Sequence, residues 1–372
     1  MKFFLLILVF LSSQLSRACT IFILTDTNRT LFFNNEDFSN PDTRLWFVPA
    51  GSNYFGCAYV GFNDGWAQGG VNTEGLAYDW VAGFDDQWTP GPDLKPTRGN
   101  PGERMLETCR TVQDAIAFYH AWREPAFDKA RIMIADKSGA SVIIGAHDGK
   151  LTIQTSNQCR GFGYGYKTLQ KNLPAQPRPT LHNGLKILKS SRQKGTFGTK
   201  YSTIYDLHSG ELFIYPVPGR KEFRFNLHAE LAKGPHYYDI PKLQQQLTQP
   251  PQPLLLNMQR LPLDTFTPLP LEHSPHALRV QTIISNLLQG SVRAEDYTSE
   301  FWSRIKSTDF ASETKSLGQF KSFHLLTTNS DNSNRTDSYR VEFERITLLH
   351  KYTFDPLGRI AAIDTEFFEP NP

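Results

Sequence analysis

Cysteine is scarce in this chain, which has four, Cys19, Cys57, Cys109 and Cys159, among 372 residues. No two of them form a Cys-x-x-Cys pair, and none of the ten His lies in a His-Glu-x-x-His pattern. That spacing excludes the common zinc sites, so no metal is expected. An excess of charge of either sign is lacking too. Lys and Arg total 39 against 37 Asp and Glu, a formal net charge of +2 with no long basic run. Nothing electrostatic therefore points to a nucleic-acid partner. Beyond residue 18 no apolar run is long enough to cross a bilayer as a helix, and no membrane span is expected. What the chain does hold is apolar and aromatic: 39% hydrophobic residues and 13% aromatic, with 27 Phe and 14 Tyr. That is ample for one large domain or two ordinary ones.

The first residues carry a chemical consequence. Lys2, the apolar run from Phe3 to Leu11, and small residues at Ser16 and Ala18 read as a secretory signal, residues 1–18, cut after Ala18. The protein is then expected to be secreted or exported, to a periplasm, a secretory organelle or the medium. Cleavage there makes Cys19 the leading residue, with a thiol and a free α-amine on one Cα. A thiol titrates near ~8.5 and an α-amine near ~7.7–8.0, so each is close to its switching point at neutral pH. Together they form a nucleophile with a built-in base. The same pattern also fits a plain signal end whose Cys is a disulfide partner or a core residue. A lipid-modified Cys is disfavoured, because Ser16 and Arg17 stand where Leu and a small residue are wanted.

Along the chain, Thr20 to Thr25 and Thr30 to Phe33 read as a hairpin around Asp26-Thr27-Asn28. Strands follow at Arg44 to Val48, Tyr54 to Phe62, and on both sides of Asn72-Thr73-Glu74-Gly75. Thr111-Val112-Gln113-Asp114 resembles a capping box opening a helix. More strands are expected at Arg131 to Ala135, Ser141 to Gly145, Leu151 to Thr155, Tyr201 to Leu207, Glu211 to Tyr215 and Phe223 to Leu227, with a helix at Leu185 to Ser191. Residues 244–275, rich in Gln and Pro, read as a linker. Beyond it come two amphipathic helices, His276 to Leu288 and Glu295 to Ile305, then four strands. The expected division is 19–243 for a β-rich domain and 276–372 for a small α+β domain.

Four short motifs, in order, carry a resemblance. They are Cys19-Thr20 opening a strand, Phe33-Asn34-Asn35-Glu36-Asp37-Phe38, Gly70-Val71-Asn72-Thr73-Glu74-Gly75-Leu76, and Thr155-Ser156-Asn157. Over Cys19 to Leu243 the chain resembles the linear amide C–N hydrolases, the choloylglycine hydrolase and penicillin V acylase relatives among the N-terminal-nucleophile hydrolases. The resemblance implies an α+β fold, a four-layer αββα sandwich of two antiparallel sheets. It implies Cys19 as nucleophile, Asp37 beside the amine or thiol, Asn157 as oxyanion donor, and no cofactor. The expected partner is a small-molecule N-acyl amide; self-association into a homo-oligomer is left open. Asn34 stands where those enzymes usually carry Arg, and Arg192 lies in the region of a later Arg without its motif. Asn34, Tyr78 and Asp79 are candidates for the substrate pocket. Residues 276–372 resemble the ketosteroid-isomerase-type cone fold. The rival readings are a non-catalytic secreted binding protein on the same scaffold and a structural protein with Cys19 in a disulfide.

Overall fold

The turn after the first strand sets the register around Cys19. Asp26 Oδ1 accepts the backbone N–H of Asn28 at 2.8 Å and of Arg29 at 3.0 Å, an Asx turn. It joins β1 (Thr20–Thr25) to β2 (Thr30–Asp37), with Thr25 opposite Thr30 and Thr20 opposite Asn35. The protein is seen in a computed structural model that describes residues 19–62, 65–86, 88, 90–91, 93–95, 100–219, 221–255, 258, 275–288, 291–306, 317–330, 334–344 and 346–370. The expected signal, 1–18, and much of the expected linker lie outside the described residues.

Two compact units share the chain: 1–41, 74–89 and 126–229 form one, and 42–73, 90–125 and 230–372 the other. After β2 the chain builds β3 (Thr43–Val48), β4 (Cys57–Phe62) and β5 (Ala67–Asn72) in the second unit, then β6 (Leu76–Ala82) in the first. Helices α1 (Pro101–Thr108) and α2 (Val112–Ala121) follow in the second. Back in the first unit come β7 (Ala130–Asp136), β8 (Ser141–His147), β9 (Lys150–Ser156) and β10 (Arg160–Gly163). Next are α3 (Tyr166–Asn172), α4 (Leu181–Ser190), β11 (Thr199–Asp206), β12 (Glu211–Pro216) and β13 (Phe223–Asn226). The division between the units falls within α5 (Leu227–Leu231).

In the first unit a six-stranded antiparallel sheet runs β10-β1-β2-β11-β12-β13. One face is closed by α3 and α4. Phe22 stacks on Phe33 at 4.5 Å, and both pack with Leu169, Ile187 and Leu188 from the helices. Strand β6, which continues through β7 and β8 to β9, lies against β1. Strand side chains alternate between faces. Leu31, Phe33 and Asn35 of β2 therefore meet the helices, while Phe32, Asn34 and Glu36 point to the inner side. Phe32 there stacks on Tyr205 at 6.1 Å.

In the second unit the order is β15-β14-β3-β4-β5, with β14 (His236–Asp239) and the short β15 (Gln252–Pro253). Helix α1 backs β5, and Asn72 Nδ2 donates to the carbonyls of Leu106 at 2.7 Å and Cys109 at 2.8 Å. The expected capping box opens α2: Thr111 and Asp114 cap each other's backbone. Helix α6 (Leu243–Gln246) starts at the last residue of the expected first domain and runs into the segment expected to be linker. At the end, α7 (Pro275–Leu288) and α8 (Ser299–Ile305) precede a meander of β16 (Phe320–Ser330), β17 (Arg335–Phe343), β18 (Ile346–Phe354) and β19 (Ile360–Pro370). Val280, Ile283, Phe301, Tyr339, Tyr352 and Ile360 share one apolar core there. The fold is α+β, built on two large antiparallel sheets and helices, with a small sheet at the C-terminal end.

Candidate active site

The hairpin register carries one step past Thr20 and Asn35, placing Cys19 opposite Glu36 on the inner side of the sheet. Cys19 is 8% exposed, and its Sγ–H donates to Glu36 Oε1 at 3.3 Å. The backbone N–H of Asp37 points to the same sulfur at 3.5 Å. On its other side Glu36 Oε2 accepts from Asn34 Nδ2 at 3.3 Å and from the Tyr201 hydroxyl at 3.5 Å. Asp37 Oδ1 accepts from Thr199 Oγ1 at 2.5 Å. Asp79, on β6, accepts the N–H of Trp80 with Oδ1 at 2.8 Å. The second carboxylate oxygens of Asp37 and Asp79 and the carbonyl oxygen of Asn34 are buried without a hydrogen-bond partner among the described residues.

Close approach at Cys19 depends on Gly163. It pairs with Thr20 at φ +112°, and a Cβ there would sit 1.9 Å from the Cys19 carbonyl oxygen. No side chain fits in that gap. Tyr164 N–H donates to the same carbonyl at 3.1 Å, so β10 holds the start of β1 from the side opposite β2.

Three buried carboxyl groups with no ion-pair partner to Lys or Arg among the described residues make this site acidic. Burial lifts Glu36 to about 7, although Cys19, Asn34 and Tyr201 all donate to it. Burial lifts Asp37 to about 8 against the Thr199 hydrogen bond, with the Glu36 charge adding to the rise and Lys200 opposing it. Asp79 rises well above its ordinary range through burial and then Glu36. Burial, followed by the charges of Glu36, Asp37 and Asp79, pushes the Cys19 thiol well above its own. With its nitrogen in peptide linkage, Cys19 is held as a protonated thiol donating to a carboxyl. All four cysteines are free thiols, so no disulfide ties Cys19. Among the described residues no group of three or more His, Cys, Asp or Glu is arranged to hold a metal ion.

Of the residues expected at the site, Cys19, Asn34, Asp37 and Asp79 come together. Asn157 does not. It is exposed in the turn between β9 and β10, past Arg160, which faces Ile23. Cys19 lies four residues from Ile23, ~13 Å along the strand. Asn157 is therefore not placed to donate to an oxyanion beside Cys19. Tyr78 neighbours Asp79 on β6, so its side chain points to the opposite face. Arg192 lies on the helix side of the six-stranded sheet. Its Nη2 donates to Ser202 Oγ at 3.2 Å, and with Lys189, Tyr215 and Gly219 it lines a cavity of about 340 Å³ away from the thiol. Sequence reasoning passed over Glu36, Tyr201 and Thr199. The available signal was hairpin arithmetic: pairing Thr25 with Thr30 puts Cys19 across from Glu36.

No protein-family model matches the sequence, and no curated protein matches it. Among solved structures the chain is similar to penicillin V acylase from Agrobacterium tumefaciens, with 15% identity and a TM-score of 0.49 over 64% of this chain and 100% of that one. It is also similar to two substituted variants of conjugated bile acid hydrolase from Clostridium perfringens. Both are 12% identical over 59% of this chain and 96% of theirs, with TM-scores of 0.48 and 0.46.

Proposed function

We propose that this chain is an exported thiol amidohydrolase that cleaves a linear C–N amide bond of a small N-acyl substrate through an acyl-enzyme on Cys19. The observation that carries the reading is the buried Cys19 thiol, hydrogen-bonded to Glu36 and met by the Asp37 N–H. A cut after Ala18 would place an ammonium at Cys19 among carboxyl groups that have no Lys or Arg ion pair among the described residues. That charge favours the ionised forms of the thiol and of its acidic neighbours. Asp37, whose second carboxylate oxygen has no hydrogen-bond partner among the described residues, is the partner offered to the new ammonium. The thiolate then attacks the amide carbonyl, the amine leaves, and water releases the acid. The free amine either takes the thiol proton or, staying charged, lowers the thiol pKa. The C-terminal residues 276–372 are proposed as a separate folding unit, supported by an apolar core drawn entirely from positions beyond 279.

The test is to isolate the exported protein, read its first residue by mass spectrometry, and assay a panel of N-acyl amides. Cys19 is expected at the terminus. Cys19→Ala should abolish turnover, and Cys19→Ser should leave about 1% or less, because a hydroxyl is a far weaker acid than a thiol. Undiminished turnover in Cys19→Ala ends the proposal.

A further inference from the structure

We infer that Glu36 is a catalytic residue of this site: its carboxylate takes the Cys19 thiol proton and returns it to the departing amine. The inference rests on the amide-cleaving reading above and names its base. Glu36 Oε1 is the acceptor that the sulfur's hydrogen already meets, at 3.3 Å. Hydrogen-bond contact with the proton to be moved is the first requirement of a general base. The carboxylate is fixed for the task, since Asn34 and Tyr201 hold Oε2 and leave Oε1 to the thiol.

Both holders are neutral, and this gives Asn34 a meaning. An Arg at that position would pair with Glu36 and keep it permanently ionised, a weak base at neutral pH. An amide holds the same oxygen without fixing its charge. None of the described side chains that act on Glu36 is a cation. Asp37 from β2 and Asp79 from β6 are acidic, and the hydroxyls of Tyr201 and Tyr205 from β11 are neutral, so a second negative charge is discouraged. With Cys19 in peptide linkage, burial lifts Glu36 to about 7 against the hydrogen bonds from Cys19, Asn34 and Tyr201, a range where a base can both take a proton and give it back.

In the first step the S–H bond breaks, its proton moves to Glu36 Oε1, and the sulfur pair forms the S–C bond as the carbonyl π pair moves to oxygen. On collapse the C–N bond breaks, its electron pair stays on nitrogen, and Glu36 gives that nitrogen the proton. Water then adds to the thioester, passing its proton to Glu36. The C–S bond breaks and the sulfur recovers that proton. The α-ammonium, held by Asp37, stays charged throughout.

The experiment uses the full mature chain beginning at Cys19, with Glu36→Gln and Glu36→Asp. It reads the rate of Cys19 alkylation by iodoacetamide from pH 5 to 9, located by peptide mass spectrometry, together with kcat and KM on an N-acyl amide. The wild-type alkylation profile should inflect at or below pH 7, since the Cys19 ammonium lowers Glu36 from the value it holds in the blocked chain. Glu36→Gln should lose that inflection and lower kcat about 10²-fold or more, with KM changed less than about threefold; Glu36→Asp should recover part of kcat. A folded Glu36→Gln protein, checked by its thermal melt, that keeps the wild-type profile and kcat assigns the proton to the α-amine and overturns the inference. If no amide is turned over, the amidase reading fails by itself, and the alkylation profile still decides whether Glu36 governs the thiol.

Discussion

Around Cys19 each residue's part follows from which face of a strand it occupies. Cys19, Asn34 and Glu36 share the inner face because Cys19 pairs across β1 and β2 with Glu36, two positions from Asn34. Asn157 shares a motif but not a location. Asn157→Ala is expected to leave kcat/KM within about twofold of wild type on any amide the enzyme cleaves, because the residue is exposed beyond the far end of β1; a loss of a hundredfold, the usual cost of an oxyanion donor, would refute its placement. Residue type and motif alone point to Cys19 and Asp37, which the structure brings together. Glu36 was not legible in that way, because the second strand was expected to end at Phe33. Asn34-Asn35-Glu36-Asp37 are poor strand formers, yet β2 runs through all four, fully buried. Hydrogen bonds from Ser202, Thr199 and Tyr201 to these side chains replace the apolar packing that the pattern rule looks for.

Among the elements, α4 ties the helix layer to the strand that carries the site. Asn35 of β2 donates to the Leu188 carbonyl at 3.0 Å and to Ser191 Oγ at 3.3 Å. Gly184 lets the helix come that close, since a Cβ there would lie 2.0 Å from the Phe33 ring. Gly184→Ala should therefore destabilise the fold by roughly 2 kcal/mol or more, as overpacking does, despite alanine's better helix propensity; thermal or urea unfolding measures it, and an unchanged or raised midpoint would show that the contact gives way. Sequence reasoning found α4 but started it four residues late. The Thr180 side chain caps it by accepting the Asn183 N–H at 3.2 Å. Strand β10 was missed altogether. Arg-Gly-Phe-Gly carries little strand propensity, and its place comes from the open edge of β1, which needs a partner whose Gly163 has no side chain. The β16–β19 meander was legible because its β-branched and aromatic runs are long.

At the scale of the whole molecule, a net charge of +2 conceals a buried acidic cluster, and the cluster sets how stability depends on pH. Glu36 rises from 4.5 to about 7 and Asp37 from 3.8 to about 8 on folding. The folded state thus holds protons that the unfolded chain releases near pH 4. Their contribution is fully present below that pH and is lost as pH rises through 7 to 8. For Glu36 alone this is roughly 3 kcal/mol. A chain whose Cys19 nitrogen is blocked should melt at a higher temperature at pH 5 than at pH 8, and the mature chain, with its ammonium, should show a smaller fall. A flat or rising midpoint between those pH values would contradict the burial of these groups. The hold on Cys19 reaches further still. Chain ends ordinarily fray and invite trimming, whereas the carbonyl of Cys19 is bound by the Tyr164 N–H and Thr20 is paired on both sides. If the proposed cut after Ala18 makes Cys19 the chain end, an exopeptidase that needs a loose end to draw into its own cleft would find none here.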